Sequence, residues 1–298
     1  TVFALWFGGR FALPAMLRRL AFACAMVLFA SAVAAVAYPS IGLMEVTHAG
    51  AWKGVFAHKN SALPSSEFYK SVALGDFYSD RFDYSDSNII NSISHLNPYF
   101  SELTGIFFMC QHDEVSDVIG TAHYRRFLSL VKLSNAPSDG RITLDSRLAI
   151  PFLEVPEHES RARTILRTYD IIVPKPNRHS DSIGDAYTRA HDQLPWSVML
   201  SVLDEYYGSQ HHGLREDRRG FPANIFIAQR TVFSLYCREL FFVINQVFQQ
   251  VGISPQLNGA RYQPYRYPGY LAERFMTAFI NSHRLRFFEA DLVQVRDK

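Results

Sequence analysis

The segment "DVIGTAHYRR" (117–126) places an apolar run directly before four side chains that form strong hydrogen bonds. The apolar part has the length and character of a buried strand. In open α/β sheets, ligands bind beyond the carboxyl ends of the strands, so polar side chains at such an end are typical of a binding site. The segment therefore predicts a strand of a buried sheet, followed by a site formed by His123, Tyr124, Arg125 and Arg126.

Short apolar segments of the same kind recur along the chain and alternate with patterns of helical spacing. The predicted strands are 53–58, 71–74, 117–122, 169–174 and 223–229, and the predicted helices are 98–112, 184–207, 231–250 and 269–282. Residues 131–168 fit either a helical excursion or an insertion on the acceptor side. The alternation predicts an α/β fold with an open, mostly parallel sheet flanked by helices.

The composition is that of a packed globular protein. The chain has 298 residues, of which 48% are hydrophobic, and its formal net charge is +2. This charge provides no general attraction to nucleic acid, so any basic site must be local. The many aromatic residues are expected to lie mainly in the core.

The three cysteines, Cys24, Cys110 and Cys237, are far apart in sequence and include no C-x-x-C pair. An odd, scattered set argues against a disulfide framework and against a structural zinc site. Cys110 and Cys237 lie in apolar helical contexts, which predicts buried thiols and a reducing compartment.

The N-terminal region has a different character from the rest. Residues 20–37 form an uncharged run preceded by Arg18 and Arg19, which predicts a hydrophobic helix that acts as a membrane anchor or signal peptide. We therefore expect a leader at 1–50 and a catalytic domain at 51–298. The flanking arginines favour export of the later residues, whereas the cysteines and the chemistry argued below favour the cytosol.

The pair Arg125 and Arg126 indicates the chemistry of the site. Two neighbouring guanidinium groups can hold a diphosphate through forked hydrogen bonds, and the preceding histidine and tyrosine can orient a sugar hydroxyl. The alternative is that either arginine pairs with a carboxylate from 75–97 or 98–112 and only fixes the loop.

Several common signatures are absent, among them the phosphate loop, G-x-G-x-x-G, H-E-x-x-H, G-x-S-x-G and a strict D-x-D. Asp80, Asp83 and Asp86 are spaced by three residues in a soft loop. This spacing leaves open a divalent cation, Mg or Mn, as a cofactor, and a solvated acidic loop is the alternative.

Six segments, "VFAHKNSALP", "ISHLNPYFSELTGIFF", "GTAHYRRFLS", "YDIIVPKP", "PANIFIAQRTVFSLYCRELF" and "GYLAERF", occur in an order that resembles the bacterial family called domain of unknown function 4422. The resemblance covers about residues 53–294. It implies a nucleotide-binding fold similar to the GT-A transferases. It also implies sugar transfer in capsule, exopolysaccharide or O-antigen synthesis, with galactofuranosyltransferase domains among the members.

The resemblance also implies site residues. The positions that match its motifs are His58, Lys59, Glu102, Leu103, Thr104, His123, Tyr124, Arg125, Arg126, His191, Asn224, Glu273 and Arg274. The chain departs from the family where the usual Gly-Asp-Asn-Ile-Ser is replaced by residues 90–94, "INSIS". The missing aspartate leaves Asp86 as a candidate for its role.

We therefore expect a glycosyltransferase that uses a UDP-sugar, with UDP-galactofuranose as one candidate, and a polysaccharide or lipid-linked acceptor. Arg125 and Arg126 would neutralise the leaving diphosphate, and the base would be Glu273, His191 or Asp86. Purely structural roles are the alternatives for two of these candidates: Glu273 could form a salt bridge with Arg266, and His191 could be a hydrogen-bonded residue of a helix. Glu102 could instead hold an arginine in place, and Asn224 could be a structural cap.

Two rival functions remain open at this stage. The first is a non-catalytic carbohydrate-binding relative, favoured by Asn91 where an aspartate is expected. The second is a phosphohydrolase with His123 as nucleophile, which lacks the second histidine that such enzymes commonly use. For the transferase, we expect the cytoplasmic face of the inner membrane, with association through residues 20–37, and no nucleic-acid partner.

Overall fold

The computed structural model describes residues 50–112, 116–132, 137–208, 213–253 and 263–296. The hydrophobic helix expected at 20–37 lies outside these residues, and the proposed boundary between 1–50 and 51–298 stays a prediction. Among the helices of the described ranges, none is both long and apolar enough to cross a membrane.

Strands and helices alternate along much of the chain. The strands are β1 (Ala51–Ala57), β2 (Tyr69–Ala73), β3 (Tyr84–Ser85), β4 (Val118–His123), β5 (Arg126–Ser129), β6 (Arg141–Asp145), β7 (Ile171–Pro174), β8 (Asn177–Arg178), β9 (Arg219–Gly220), β10 (Ile227–Gln229) and β11 (Phe287–Arg296). The helices are α1 (Asn97–Phe100), α2 (Leu103–Gln111), α3 (Ser146–Leu153), α4 (Glu157–Ile165), α5 (Ile183–Thr188), α6 (Gln193–Tyr207), α7 (Arg230–Val251) and α8 (Tyr267–His283).

One half of the main sheet is parallel. Strands β3, β2, β1 and β4 lie side by side in that order, and each neighbouring pair is parallel. The chain passes from β1 to β2 and β3 on one side, and later returns to β4 on the other side. A topological switch point therefore lies between the carboxyl ends of β1 and β4, which is where such sheets bind ligands.

The other half of the sheet is mixed. Strand β10 pairs antiparallel with β4 and β7, and β5 pairs antiparallel with β4 and β11, whereas β11 is parallel to β6 and β7. The expectation of an α/β fold is confirmed, but the sheet is mixed: parallel pairs join β1 to β4 and join β11 to β6 and β7, and antiparallel pairs connect these two groups. The reason is that β4 turns directly into β5, and such a tight hairpin can join only antiparallel strands.

Both faces of the sheet are covered, as expected for flanking helices. Side chains alternate between two cores: Phe56 faces the core that contains α2, α6, α7 and α8, and its neighbour Val55 faces the core that contains α3 and α4. Helix α2 lies very close to the sheet, since a Cβ on Gly105 would be 2.5 Å from Cδ1 of Phe56. This close approach brings Glu102, the residue before α2, to the carboxyl edge of the strands.

The predicted strands before residue 175 and the helices at 231–250 and 269–282 agree with the observed ones to within two residues. The predicted helix 98–112 is divided into α1 and α2, and the predicted helix 184–207 into α5 and α6. The segment 223–229 forms a 3₁₀ turn, Pro222–Asn224, before the short strand β10. Residues 131–168 contain β6, α3 and α4, a region that the sequence pattern left open.

The expectation of buried free thiols is wrong for Cys110 and Cys237. These cysteines form a disulfide between α2 and α7, with Sγ atoms 2.11 Å apart and Cα atoms 5.8 Å apart. The sequence does not reveal the pair because 127 residues separate its members, and only the packing of α2 against α7 brings them together. The cysteines therefore no longer argue for a reducing compartment.

Candidate functional site

The tetrad from His123 to Arg126 spans the turn between β4 and β5. Backbone hydrogen bonds fix this turn on both sides: Tyr124 N–H donates to the carbonyl of Phe56 in β1 (3.0 Å), and the carbonyl of Arg125 accepts from Val295 N–H in β11 (2.9 Å). The turn therefore lies at the carboxyl ends of β1 and β4, next to the switch point of the sheet.

The ring of Tyr124 is the centre of a basic group that we call the cation cluster, formed by Lys59, Arg125, Arg126 and Arg266. Nζ of Lys59 lies 5.3 Å from the centroid of the Tyr124 ring, and Cζ of Arg125 lies 4.9 Å from it. Two positive groups are thus held near one aromatic ring, a favourable arrangement for cations.

Two histidines border the cation cluster. The His58 ring lies edge-on to Tyr124 at 5.3 Å, and the His123 ring lies 4.3 Å from it. Burial, followed by the charges of Arg126 and Arg125, lowers the pKa of His123 to about 3. Burial and Arg266, Lys59 and Arg125 lower the pKa of His58. Both rings are therefore neutral at pH 7 and can serve as hydrogen-bonding groups beside the cations.

The cations of the cluster make no close contact with a carboxylate of the described residues, although Arg266 acts on Glu102 from a longer distance. Within the described ranges, none of the four forms an ion pair with a carboxylate. Arg125 is exposed and Arg126 is half-buried. The alternative that these arginines only pair with a carboxylate of 75–97 or 98–112 therefore finds no support. Unpaired guanidinium groups at the end of a sheet can receive an anion.

Arg266 joins the cluster from a distant part of the chain. Its Nε donates to Oγ of Ser101 (2.8 Å), and its Nη1 donates to Oε1 of Gln263 (3.2 Å). Ser101 itself has a φ of 54°, an uncommon value for a residue other than glycine. This strained position between α1 and α2 presents its hydroxyl to the arginine.

A second group, the carboxylate pair, consists of Glu102 and Glu273. Nδ2 of Asn224 donates to Oε1 of Glu102 (2.8 Å), and the backbone N–H of Ala223 donates to Oε1 of Glu273 (3.0 Å). Oε2 of Glu273 accepts from Nη1 of Arg274 (2.9 Å). The pair is thus held by one short turn, in which Ala223 and Asn224 have φ values of 70° and 48°.

The two groups act on each other electrostatically. Burial raises the pKa of Glu102, and the charge of Glu273 raises it further, whereas the hydrogen bond from Asn224 and the charge of Arg266 lower it. Glu102 is therefore close enough to interact with both Glu273 and Arg266. The Oδ1 atom of Asn224 is buried and has no hydrogen-bond partner among the described residues, so it can still accept a hydrogen bond.

Asp86 and Thr104 lie beneath the site. Asp86 is 1% exposed, and both of its Oδ atoms accept from Gly75 N–H, at 3.0 and 3.1 Å. Its pKa is raised by burial and lowered by a hydrogen bond with Thr104. The carbonyl of Asp86 accepts from Oγ of Ser92, in the segment that departs from the family pattern. Asp86 thus fixes the loops after β2 and β3.

Two of the spaced aspartates are held by hydrogen bonds within their own loops. Oδ2 of Asp83 accepts from both N–H and Oγ of Ser71, each at 2.7 Å, and the oxygens of Asp86 accept from Gly75. In the part of the chain that the structure describes, no three His, Cys, Asp or Glu side chains are grouped to hold a metal ion.

His191 lies near Arg274, the arginine that pairs with Glu273. Its ring stacks on Tyr270 (4.4 Å, 25°) and lies 4.7 Å from the ring of Tyr187. Burial and the charge of Arg274 lower its pKa to about 4. A base with so low a pKa accepts a proton weakly at neutral pH.

A cavity of about 700 Å³ opens beside Lys59. It runs between the loop after β1 and the outer edge of β2. Its lining includes Lys59, Asn60, Ser61, Ser71, Arg81, Phe82 and Asp83. Lys59 of the cation cluster therefore borders a polar cavity, whereas Arg266 of the same cluster acts on the carboxylate pair.

The structure brings most of the predicted residues together. His58, Lys59 and the tetrad meet at the switch point, and Glu102, Asn224 and Glu273 meet next to them. Arg266 and Tyr270 were not predicted as site residues. The available signal was the segment "PYRYPGY" (264–270), rich in arginine, tyrosine and proline, which spans a 3₁₀ turn at Pro264–Arg266 and the first turn of α8.

Comparisons with known proteins agree with this architecture. The model of the family described as domain of unknown function (DUF4422) matches residues 54–284. No curated protein sequence matches the chain. Among solved structures, the chain is similar to the WbbM bifunctional glycosyltransferase in its apo form, with 20% sequence identity and a TM-score of 0.69. The match covers 83% of this chain and 45% of that one, and it shows a shared fold.

Proposed function

The chain belongs to the family described as domain of unknown function 4422, and we propose that it is a glycosyltransferase that moves a sugar from a UDP-sugar to a glycan. The family match and the fold shared with a bifunctional glycosyltransferase support this proposal. So does the parallel half of the sheet, whose order matches the nucleotide-binding half of doubly wound folds and is compatible with a GT-A-like architecture.

The observation that carries the proposal is the cation cluster, whose members form no ion pair with a carboxylate among the described residues. Arg125 and Arg126 follow the carboxyl end of β4, Lys59 follows β1, and the charge of Arg266 acts on the two histidines beside them. These groups would hold the donor diphosphate and stabilise the negative charge that it gains as the leaving group. The neighbouring cavity, next to Lys59, would receive the nucleoside.

The carboxylate pair would then lie at the sugar end of the donor. Transfer forms a bond between the acceptor oxygen and the anomeric carbon, and breaks the bond from that carbon to the diphosphate oxygen. The diphosphate leaves with the bonding electrons, and a base receives the acceptor proton. Glu273 is the best placed of the three expected bases, since Asp86 is buried beneath the site and His191 is a weak base.

The acceptor in this proposal is a polysaccharide or a lipid-linked glycan of capsule, exopolysaccharide or O-antigen synthesis. UDP-galactofuranose is the first donor to try. We place the reaction at the cytoplasmic face of the inner membrane, with residues 20–37 as the attachment. The Cys110–Cys237 disulfide is more typical of an oxidising compartment, so the redox state of this pair in the purified chain tests this placement.

The test is the stabilisation of the purified chain by UDP. We expect UDP to raise the melting temperature, and expect Arg125→Ala and Arg126→Ala each to weaken UDP binding roughly 10- to 100-fold, the worth of a charge-assisted hydrogen bond. Arg147→Ala is the matched control, since Arg147 is an exposed arginine that pairs with Asp145 (2.9 Å) at the start of α3. Equal UDP affinity in all four proteins would refute the assignment of the cluster.

A second measurement separates an enzyme from a pure binding protein. The transferase is expected to release UDP slowly from its UDP-sugar in the absence of acceptor, because water can replace the acceptor hydroxyl. A protein that is stabilised by UDP but releases none from a panel of UDP-sugars would be the non-catalytic relative, the reading favoured by Asn91 in place of an aspartate.

A further inference from the structure

Four aromatic rings form a continuous stack beside Glu273. Trp196 stacks on Tyr187 (5.4 Å, 27°), Tyr187 contacts His191, and His191 stacks on Tyr270. The inner rings, Trp196 and Tyr187, are buried, whereas His191 and Tyr270 are partly exposed. The stack therefore begins in the core and ends at the surface of the candidate site.

The outer end of the stack is in electrostatic contact with the carboxylate pair. Nη1 of Arg274 donates both to Oε2 of Glu273 (2.9 Å) and to the carbonyl of Tyr270 (2.9 Å). The pKa of Tyr270 is raised by burial, and the charges of Arg266, Glu273 and Glu102 all act on its hydroxyl. Tyr270 thus borders the same space as the proposed base.

This end of the site differs chemically from the diphosphate end. The His191 ring is neutral at neutral pH, and Arg274 is paired with Glu273, so the surface offers flat rings with little free positive charge. A phosphate would bind the cation cluster instead. A sugar ring suits flat aromatic surfaces, since its C–H face is apolar and its hydroxyls can reach polar groups at the ring edges.

We propose that the outer face of the Tyr270 ring, backed by the stacked ring of His191, forms the platform on which the acceptor sugar lies, a neutral pyranose ring with one hydroxyl directed to Glu273. This inference rests on the proposed function and adds the position and chemical class of the second substrate. His191 then acts indirectly: it supports the inner face of the Tyr270 ring and so fixes the position of the platform. The buried rings of Tyr187 and Trp196 hold the platform at a fixed angle to Glu273.

The test is direct binding of simple sugars, observed by saturation-transfer NMR. The probes are the methyl glycosides of galactose, glucose, mannose and N-acetylglucosamine, each added to the full chain with UDP present. At least one glycoside is expected to receive saturation at its C–H protons. In Tyr270→Ala that signal should fall at least fivefold, while Tyr270→Phe, which keeps the ring, should retain it.

Tyr206→Ala is the control, since Tyr206 is a partly exposed tyrosine that contacts Tyr207 and Phe242 on the outer helices. Circular dichroism and thermal unfolding check that each variant is folded. The platform is refuted if no glycoside binds, or if Tyr270→Ala, folded, binds as well as the parent chain. Either result would leave the UDP test untouched, so the two proposals fail separately.

Discussion

Lys53 lies inside the sheet, on β1, with 0% of its surface exposed. Its Nζ has no hydrogen-bond partner among the described residues and lies 5.3 Å from the centroid of the Tyr69 ring. Burial alone lowers its pKa from 10.5 to about 7, because the apolar surroundings disfavour the charged amine. The folded chain therefore holds this amine largely neutral above pH 7.

This burial makes stability depend on pH. Between about pH 7 and 10.5 the unfolded chain binds a proton at Lys53 that the folded chain does not, so the free energy of unfolding rises with pH. We expect an increase of at most about 1.4 kcal/mol per pH unit from pH 7 to 9, below the range in which tyrosines ionise. Urea unfolding at pH 7, 8 and 9 measures it.

Lys53→Met is the comparison, since methionine fills a similar volume without a titrating group. The variant should be more stable than the parent chain at pH 7, and the advantage should shrink as the pH rises. If the free energy of unfolding changed equally with pH in both proteins, the amine of Lys53 would not be buried in its neutral form.

At the scale of single residues, the sequence predicts the side chains that follow a strand. It does not predict the side chains that reach the site from distant parts of the chain. His58 and the tetrad could be placed because each follows an apolar run that reads as a strand. Arg266 could not, because its contact with Ser101 joins residues separated by 165 positions. Lys53 in a strand also reads like any other lysine until its neighbours on both faces are known.

Between elements, the disulfide Cys110–Cys237 ties α2 to α7, and α2 begins directly after Glu102. The link closes a loop of 127 residues, which restricts the unfolded chain strongly. The disulfide therefore mainly stabilises the folded chain. Because it holds α2 in place, it also helps to fix the position of Glu102 in the site.

We expect the double variant Cys110→Ala, Cys237→Ala to be less stable by about 2–4 kcal/mol, the usual range for a disulfide. Urea unfolding with and without dithiothreitol measures this, and the reductant should weaken the parent chain but not the variant. Thiol titration of the denatured, non-reduced parent should find one free thiol, Cys24. Three free thiols would show that the bond does not form in the purified protein.

The elements themselves follow from short-range patterns. The long helix α7 and the strands β1 and β7 were predicted from hydrophobic spacing, which depends only on neighbours in sequence. The pairing of β5 with β11 and of β10 with β4 could not be predicted in this way. Those pairings join residues more than a hundred positions apart, and no local pattern specifies such a partner.

Across the whole molecule, the buried histidines lower the stability of the folded chain in acid. The pKa values of His123, His158 and His191 are lowered to about 3, 4 and 4, mainly by burial. Each of these pKa values lies below 6.5, the pKa of histidine in the unfolded chain. Between the two values, the unfolded chain therefore binds more protons than the folded chain. The stability from these groups is complete above about pH 6.5 and is lost as the pH falls toward 4.

His158 offers the sharpest test, because it is fully buried and lies outside the candidate site. Its Nδ1 accepts from Leu130 N–H (3.2 Å), which fixes the neutral form. We expect the stability of His158→Gln to fall less steeply than that of the parent chain, by up to roughly 1.4 kcal/mol per pH unit from 6.5 to 4. Equal slopes would mean that the ring takes up its proton while the chain stays folded.

The insertion of β11 between β5 and β7 has a consequence for biosynthesis. While a ribosome is still adding residues before 287, β5 and β7 have no common neighbour and the carbonyl of Arg125 has no Val295 amide to accept from. The nascent polypeptide thus carries Arg125 and Arg126 on a hairpin that β1 and β10 hold through β4, while its other strand, β5, lacks its outer neighbour. The turn with these arginines should therefore reach its final position only after β11 has been translated and has inserted between β5 and β7.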